Sequence, residues 1–97
     1  MDYKLRWSKD SIADLEDILS YLSKNWSERI LNNFKKKLSL QLDLIAQNPL
    51  MFPQSTYNPE LRKAVLSKQT SIFYKIKDNT IFIVHIFVNT QNIQRLK

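Results

Sequence analysis

The sequence predicts an α+β fold in the order β-α-α-β-β-β, a helical hairpin packed on a twisted antiparallel sheet. Three observations predict it: a short alternating segment opens the chain, two amphipathic stretches follow back to back before a proline, and runs rich in β-branched and aromatic residues close it.

Residues 3–7 alternate Tyr3, Leu5 and Trp7 with Lys4 and Arg6, the period-2 pattern of a strand with one buried face. Ser8 is placed to cap a helix over 9–24, with Asp10 in its first turn and Ile12, Leu15, Ile18, Leu19 and Leu22 at three- and four-residue spacing. Ser27 is a second cap with Glu28 behind it. Leu31, Phe34, Leu38, Leu42 and Ile45 then form an apolar stripe opposite Lys35–Lys37. This helix should end at Asn48, before Pro49. The short link around 24–26 makes the two helices an antiparallel hairpin.

The proline-punctuated, aromatic segment 49–59 reads as an ordered loop over an edge of the core. Residues 61–67 are expected to be a strand and Lys68-Gln69 a tight connection. In 70–77, Ile72, Tyr74 and Ile76 alternate with Phe73, Lys75 and Lys77. Asp78-Asn79 suits a two-residue hairpin, since these residues tolerate the left-handed conformation best among non-glycine types. The apolar run 81–88 should be the central strand, because it is hydrophobic on both faces. The polar tail 89–97 shows no element, and there is no internal repeat.

A chain of 97 residues suits one domain, 1–97, with one modest core, and 43% hydrophobic with 25% charged residues is an ordinary globular balance. Without cysteine there is no disulfide framework, thiolate metal site or cysteine nucleophile. The charged N-terminus lacks the apolar run of a signal peptide and no segment has the length of a membrane span, so the expected compartment is the cytoplasm, with no membrane partner. Glycine, usually about 7% of residues, is absent, which excludes the phosphate-cradling loops of P-loop and dinucleotide enzymes. The net charge of +6 favours an anionic partner such as nucleic acid or an acidic protein segment.

One histidine with no cysteine does not make a zinc site, so neither metal nor cofactor is expected. Asp14, Glu16 and Asp17 read as solvated helix charges rather than an acid/base pair, and Lys35–Lys37 as a solvated face. What remains is a basic sheet: Arg62, Lys63, Lys75 and Lys77 on paired strands, and Arg95 and Lys97 after the last one. Alternation puts Lys75 and Lys77 on one face, and His85 on the face of Ile81, Ile83 and Phe87. His85 reads first as a half-buried histidine with one satisfied hydrogen bond. It is also the one group suited to general acid/base chemistry near neutral pH. Tyr74 reads as core rather than as a stacking residue.

Specific residues add a resemblance. Trp7-Ser8 leads into Ala13, Leu15, Ile18 and Tyr21; Asn48-Pro49 precedes Phe52-Pro53; Leu61-Arg62-Lys63 opens the sheet; Ile72-Phe73-Tyr74-Lys75-Ile76 follows; and Ile83 and Ile86-Phe87 precede Thr90-Gln91-Asn92. In this order and spacing, over nearly the whole chain, they resemble the ParE/RelE toxin superfamily, and within it the ParE branch, often described as plasmid stabilisation proteins.

The resemblance implies the toxin component of a type II toxin–antitoxin system, neutralised by a cognate antitoxin whose segment wraps the toxin. ParE-like members are associated with poisoning DNA gyrase, and the resemblance to them implies a protein-binding inhibitor rather than an enzyme, with a ribosome-dependent mRNA endonuclease as the enzymatic alternative. RelE-like members cut mRNA on the ribosome, and a non-toxic relative that only binds an antitoxin is a third reading. The long hairpin is similar to the ParE branch. RelE-like sequences carry arginine where Ser71 stands, and similar sequences carry it near His85 and near Thr90; each lost cation would cost a ribonuclease on the order of 3 kcal/mol of the barrier. The expected target-contact surface is therefore Arg62, Lys63, Lys75, Lys77, His85, Arg95 and Lys97. The antitoxin is expected in an apolar groove along the hairpin.

Overall fold

The computed structural model describes residues 3–88. Strand β1 (Lys4–Trp7) leads directly into helix α1 (Lys9–Asn25), and helix α2 (Glu28–Gln47) follows after two residues. A 3-10 turn (Pro49–Met51) and a loop precede strands β2 (Arg62–Val65), β3 (Thr70–Lys77) and β4 (Thr80–Val88).

Local chemistry accounts for the helix ends. Ser8 Oγ accepts the Ser11 amide at 3.0 Å, satisfying one of the orphan donors of the first turn of α1. Its hydroxyl also donates to Val84 O at 2.8 Å, so the cap ties α1 to β4. Ser27 Oγ caps α2 through the Ile30 amide at 3.3 Å. Pro49, which lacks an amide proton, stops α2 and starts the 3-10 turn.

The sheet order is β1-β4-β3-β2. The expected antiparallel arrangement holds for β2, β3 and β4, joined by turns at 68–69 and 78–79, with Asp78 at φ 56°. It does not hold for β1, which pairs parallel with β4, Leu5 level with Ile81 and Trp7 with Ile83, so the sheet is mixed. A parallel pair needs a long crossover. The two helices and the β2–β3 hairpin between Trp7 and Thr80 supply it.

Helix stripe and sheet face meet in one cluster: Leu38 and Ile45 of α2 against Ala64, Ile72, Tyr74, Ile81, Ile83 and Ile86, with Leu15, Ile18, Phe34, Leu5 and Trp7 packed around them. The loop after α2 is ordered, as expected, and the core holds it. The Tyr74 hydroxyl donates to Pro49 O. Phe52 meets the Tyr74 ring edge-to-face at 6.3 Å between centroids. The Arg62 guanidinium donates to the carbonyls of Leu50 and Phe52.

The register between β3 and β4 shifts once. Phe73 is level with His85 but Tyr74 with Ile83, so Val84 is an extra residue. The bulge inverts the alternation beyond it. Ile81 and Ile83 face the core before it and Ile86 after it, which turns His85 and Phe87 to the other face. The expectation that His85 shares the face of Ile81 and Ile83 is therefore corrected.

Candidate functional site

With the helices on one side of the sheet, the other side is left to the alternate residues of each strand. The registers stack them in cross-strand rows. Lys4, Thr80 and Lys77 form one row; Arg6, Phe82 and Lys75 the next; Lys63, Phe73 and His85 a third; Val65, Ser71 and Phe87 a fourth. All five cations in these rows are exposed, none makes a salt bridge among the described residues, and no carboxylate stands in any row. A face with one sign of charge raises the local concentration of anionic partners.

Aromatic rings interleave with the cations. Phe73, His85 and Phe87, with Ser55, Tyr57, Asn58 and Leu61 from the loop, line a depression of about 140 Å³ on this face. Tyr57 is 92% and Phe87 59% exposed, a large apolar investment left facing solvent.

The second feature is the groove expected along the hairpin. It opens between α1, α2 and the ends of β3 and β4 as a cleft of about 940 Å³. Ile18, Leu22, Trp26, Phe34, Ile86 and Val88 supply its apolar lining, with Asp14, Asp17, Lys37 and His85 among the polar residues. The Trp26 indole N–H is buried without a hydrogen-bond partner among the described residues.

One carboxylate joins the two features. Asp14 Oδ2 lies 3.2 Å from His85 Nδ1 and accepts the Ile86 amide at 3.1 Å. Because β1 ends at Trp7, level with Ile83, the far part of β4 has no strand beside it there, and Asp14 takes the place of a neighbour's carbonyl. Asp14 is thus a ligand of the sheet edge rather than a solvated helix charge.

The sequence-predicted residues fall into three groups. Lys63, Lys75, Lys77 and His85 share the outer face. Arg62 does not: level with the buried Tyr74, it clamps the 49–53 turn. Arg95 and Lys97 lie outside the described residues, as do Thr90-Gln91-Asn92 and the rest of the tail. Lys4 and Arg6 are the cations that sequence reasoning misses. Their alternation with Leu5 and Trp7 marks them as outward, but only the parallel pairing with β4 sets them beside Lys75 and Lys77. Tyr74 is fully buried, and burial pushes its hydroxyl up to about 12, the Arg62 charge opposing in part.

Among the described residues no cluster of side chains suited to a metal ion occurs, and no helix is long and apolar enough to cross a membrane.

Similar folds are known. The chain is similar to a structure of the chromosomal ParDE toxin–antitoxin system from P. aeruginosa, at 18% identity and TM-score 0.75 over 89% of this chain and 95% of that one. It is similar to a chain of the RelBE2 toxin–antitoxin complex from Mycobacterium tuberculosis, at 17% identity and TM-score 0.63 over 92% and 100%. The E. coli DinJ–YafQ toxin–antitoxin complex contains a third, at 13% identity and TM-score 0.63 over 94% and 97%. At such identities the likeness carries the fold. No curated protein matches the sequence. The family model described as the ParE toxin of the type II toxin–antitoxin system parDE matches residues 5–92. The chain belongs to the ParE toxin family of type II toxin–antitoxin systems.

Proposed function

We propose that this toxin acts in the cytoplasm by binding and inhibiting DNA gyrase through the outer sheet face, and that a cognate antitoxin neutralises it by seating a segment in the hairpin cleft. The observation that carries the reading is the set of five exposed cations, Lys4, Arg6, Lys63, Lys75 and Lys77, in rows without a carboxylate. Long-range attraction of this kind speeds capture of an anionic target surface. The cleft has the apolar lining that an amphipathic partner segment needs. His85 and Phe87 border both the cleft and the outer depression, so a segment in the cleft would touch residues of the working face.

Phosphodiester cleavage draws less support. His85 is the one histidine of the outer rows, and Ser71 stands in the fourth row where a nuclease would use a cation on the transition-state phosphate. Induced expression without the antitoxin tests the reading. The expected result is growth arrest with induction of the DNA-damage response; arrest through rapid translation shutdown, or unimpaired growth, would overturn it.

A further inference from the structure

We infer that the exposed flank of α2 and the 3-10 turn after it dock on an anionic lipid bilayer, Leu40, Leu44, Leu50 and Met51 entering the interface and α2 lysines meeting the headgroups. The inference is independent of the gyrase reading and concerns a surface that neither the cleft nor the outer face uses.

Four large apolar side chains carry it. Leu50 is 63% and Leu40 57% exposed, Leu44 and Met51 are about half exposed, and none of the four lines the cleft or the depression. Leu40 and Leu44 stand one helical turn apart and so share a side of α2. Gln41, beside Leu40, donates to Val65 O at the end of β2, and Arg62, at its start, donates to Leu50 O and Phe52 O. The helix flank and the turn therefore follow one edge of the molecule, that of β2. The turn is held there from within: Arg62 and the Tyr74 hydroxyl bond its carbonyls, while Leu50 and Met51 face solvent. Exposed apolar side chains grouped in this way mark an interaction site.

Charge selects the partner. α1 carries four carboxylates against two lysines, whereas α2 carries four cations against two carboxylates. Lys36 and Lys37 lie four and three residues before Leu40, which sets them beside it, and both are exposed. Their stems can cover apolar surface with the ammonium groups at headgroup level. A second copy would bring these lysines against the same lysines on a chain of equal charge, +6. A protein partner would need a groove shaped to the ridge. A bilayer interface receives a projecting apolar ridge without one, and an anionic surface adds attraction for each nearby cation. No helix among the described residues is long and apolar enough to cross a membrane, and attachment of this kind requires none. The outer rows lie on the other side of the sheet from the helices, so docking leaves them open.

The test is co-sedimentation of the full chain with vesicles of phosphatidylcholine alone and of equal parts phosphatidylcholine and phosphatidylglycerol. Binding is expected to the mixed vesicles and not to phosphatidylcholine alone. L40Q/L44Q, which leaves the charge unchanged, should lower the partition about tenfold. K36E/K37E should lower it at least about twentyfold, at about fivefold for each cation removed. R6E/K75E makes the same charge change on the outer face and should lower it less than about threefold. Because the chain has no cysteine, a fluorophore on Met51→Cys, or separately on Phe87→Cys, reports one surface at a time. The Met51→Cys label should shift to the blue on mixed vesicles and be shielded from aqueous iodide, and the Phe87→Cys label should stay open to it. Absence of binding to mixed vesicles, shielding of the Phe87→Cys label instead, or equal losses in the two charge variants would overturn the inference. So would a lipid-free dimer, seen by light scattering, that L40Q/L44Q dissociates, since the flank would then belong to a second copy.

Discussion

Asp14 of α1 accepts the backbone amide of Ile86 on β4 at 3.1 Å, and the same oxygen lies 3.2 Å from His85 Nδ1. The amide bond is the stronger structural element. It satisfies a part-buried strand-edge donor, whereas the His85 ring is about half exposed and its contact with Asp14 is open to solvent. Asp14→Ala should therefore destabilise the fold by about 1.5 kcal/mol, lowering Tm by roughly 6–12 °C. His85→Ala should cost less than about 0.5 kcal/mol. Thermal unfolding of the two variants checks the order; equal losses would show that the His85 contact is the larger contribution.

Tyr74 gives a pH-dependent prediction. Its hydroxyl is neutral in the core, and burial pushes it up from 10.0 to about 12. The unfolded chain therefore releases this proton first as pH rises. Stability is at full value below pH 10 and falls between 10 and about 12, by up to about 3 kcal/mol. Tyr74→Phe should cost about 1 kcal/mol at neutral pH through loss of the bond to Pro49 O. The variant should also show a smaller alkaline loss than wild type. Urea unfolding at pH 7, 10 and 11 measures both effects, and parallel pH curves for the two proteins would contradict the account.

The antitoxin cleft is tested at Ile30, which lines it and is partly exposed. Glutamate there lies three residues after the cap Ser27 and completes a capping box, so α2 keeps its start. Ile30→Glu should change stability by less than about 0.5 kcal/mol. Its affinity for the antitoxin should fall about tenfold or more, with toxicity of the free protein retained. Calorimetric titration with the antitoxin reads this; undiminished affinity would place the antitoxin elsewhere.

Much of this architecture is legible in the sequence, and the exceptions have physical causes. Ser8, Ser27 and Pro49 mark the helix ends to within a residue because caps and proline act locally. Thr70–Lys77 and the Asp78-Asn79 turn are equally local. Strand β2 is shorter than the expected 61–67, since only Arg62–Val65 pair with β3 as a ladder and the turn begins beyond. The direction of β1 depends on a crossover of some seventy residues, so the roles of Lys4 and Arg6 are invisible locally. The Val84 bulge carries no glycine or proline to announce it, and the face of His85 is consequently misread. Arg62 looks like any other strand cation until the loop carbonyls of Leu50 and Phe52 fold against it.

The most direct measurement is inhibition of DNA supercoiling by purified gyrase, with wild-type protein beside R6E/K75E. Both substituted side chains are exposed and bear on no core contact, so the variant should keep wild-type stability to within about 0.5 kcal/mol. Wild type should inhibit, and the variant should need at least about tenfold more protein for the same effect, the size expected when two contact cations are reversed. Equal inhibition by the two proteins, or none by either, would contradict the assignment of the outer face as the surface through which this toxin meets gyrase.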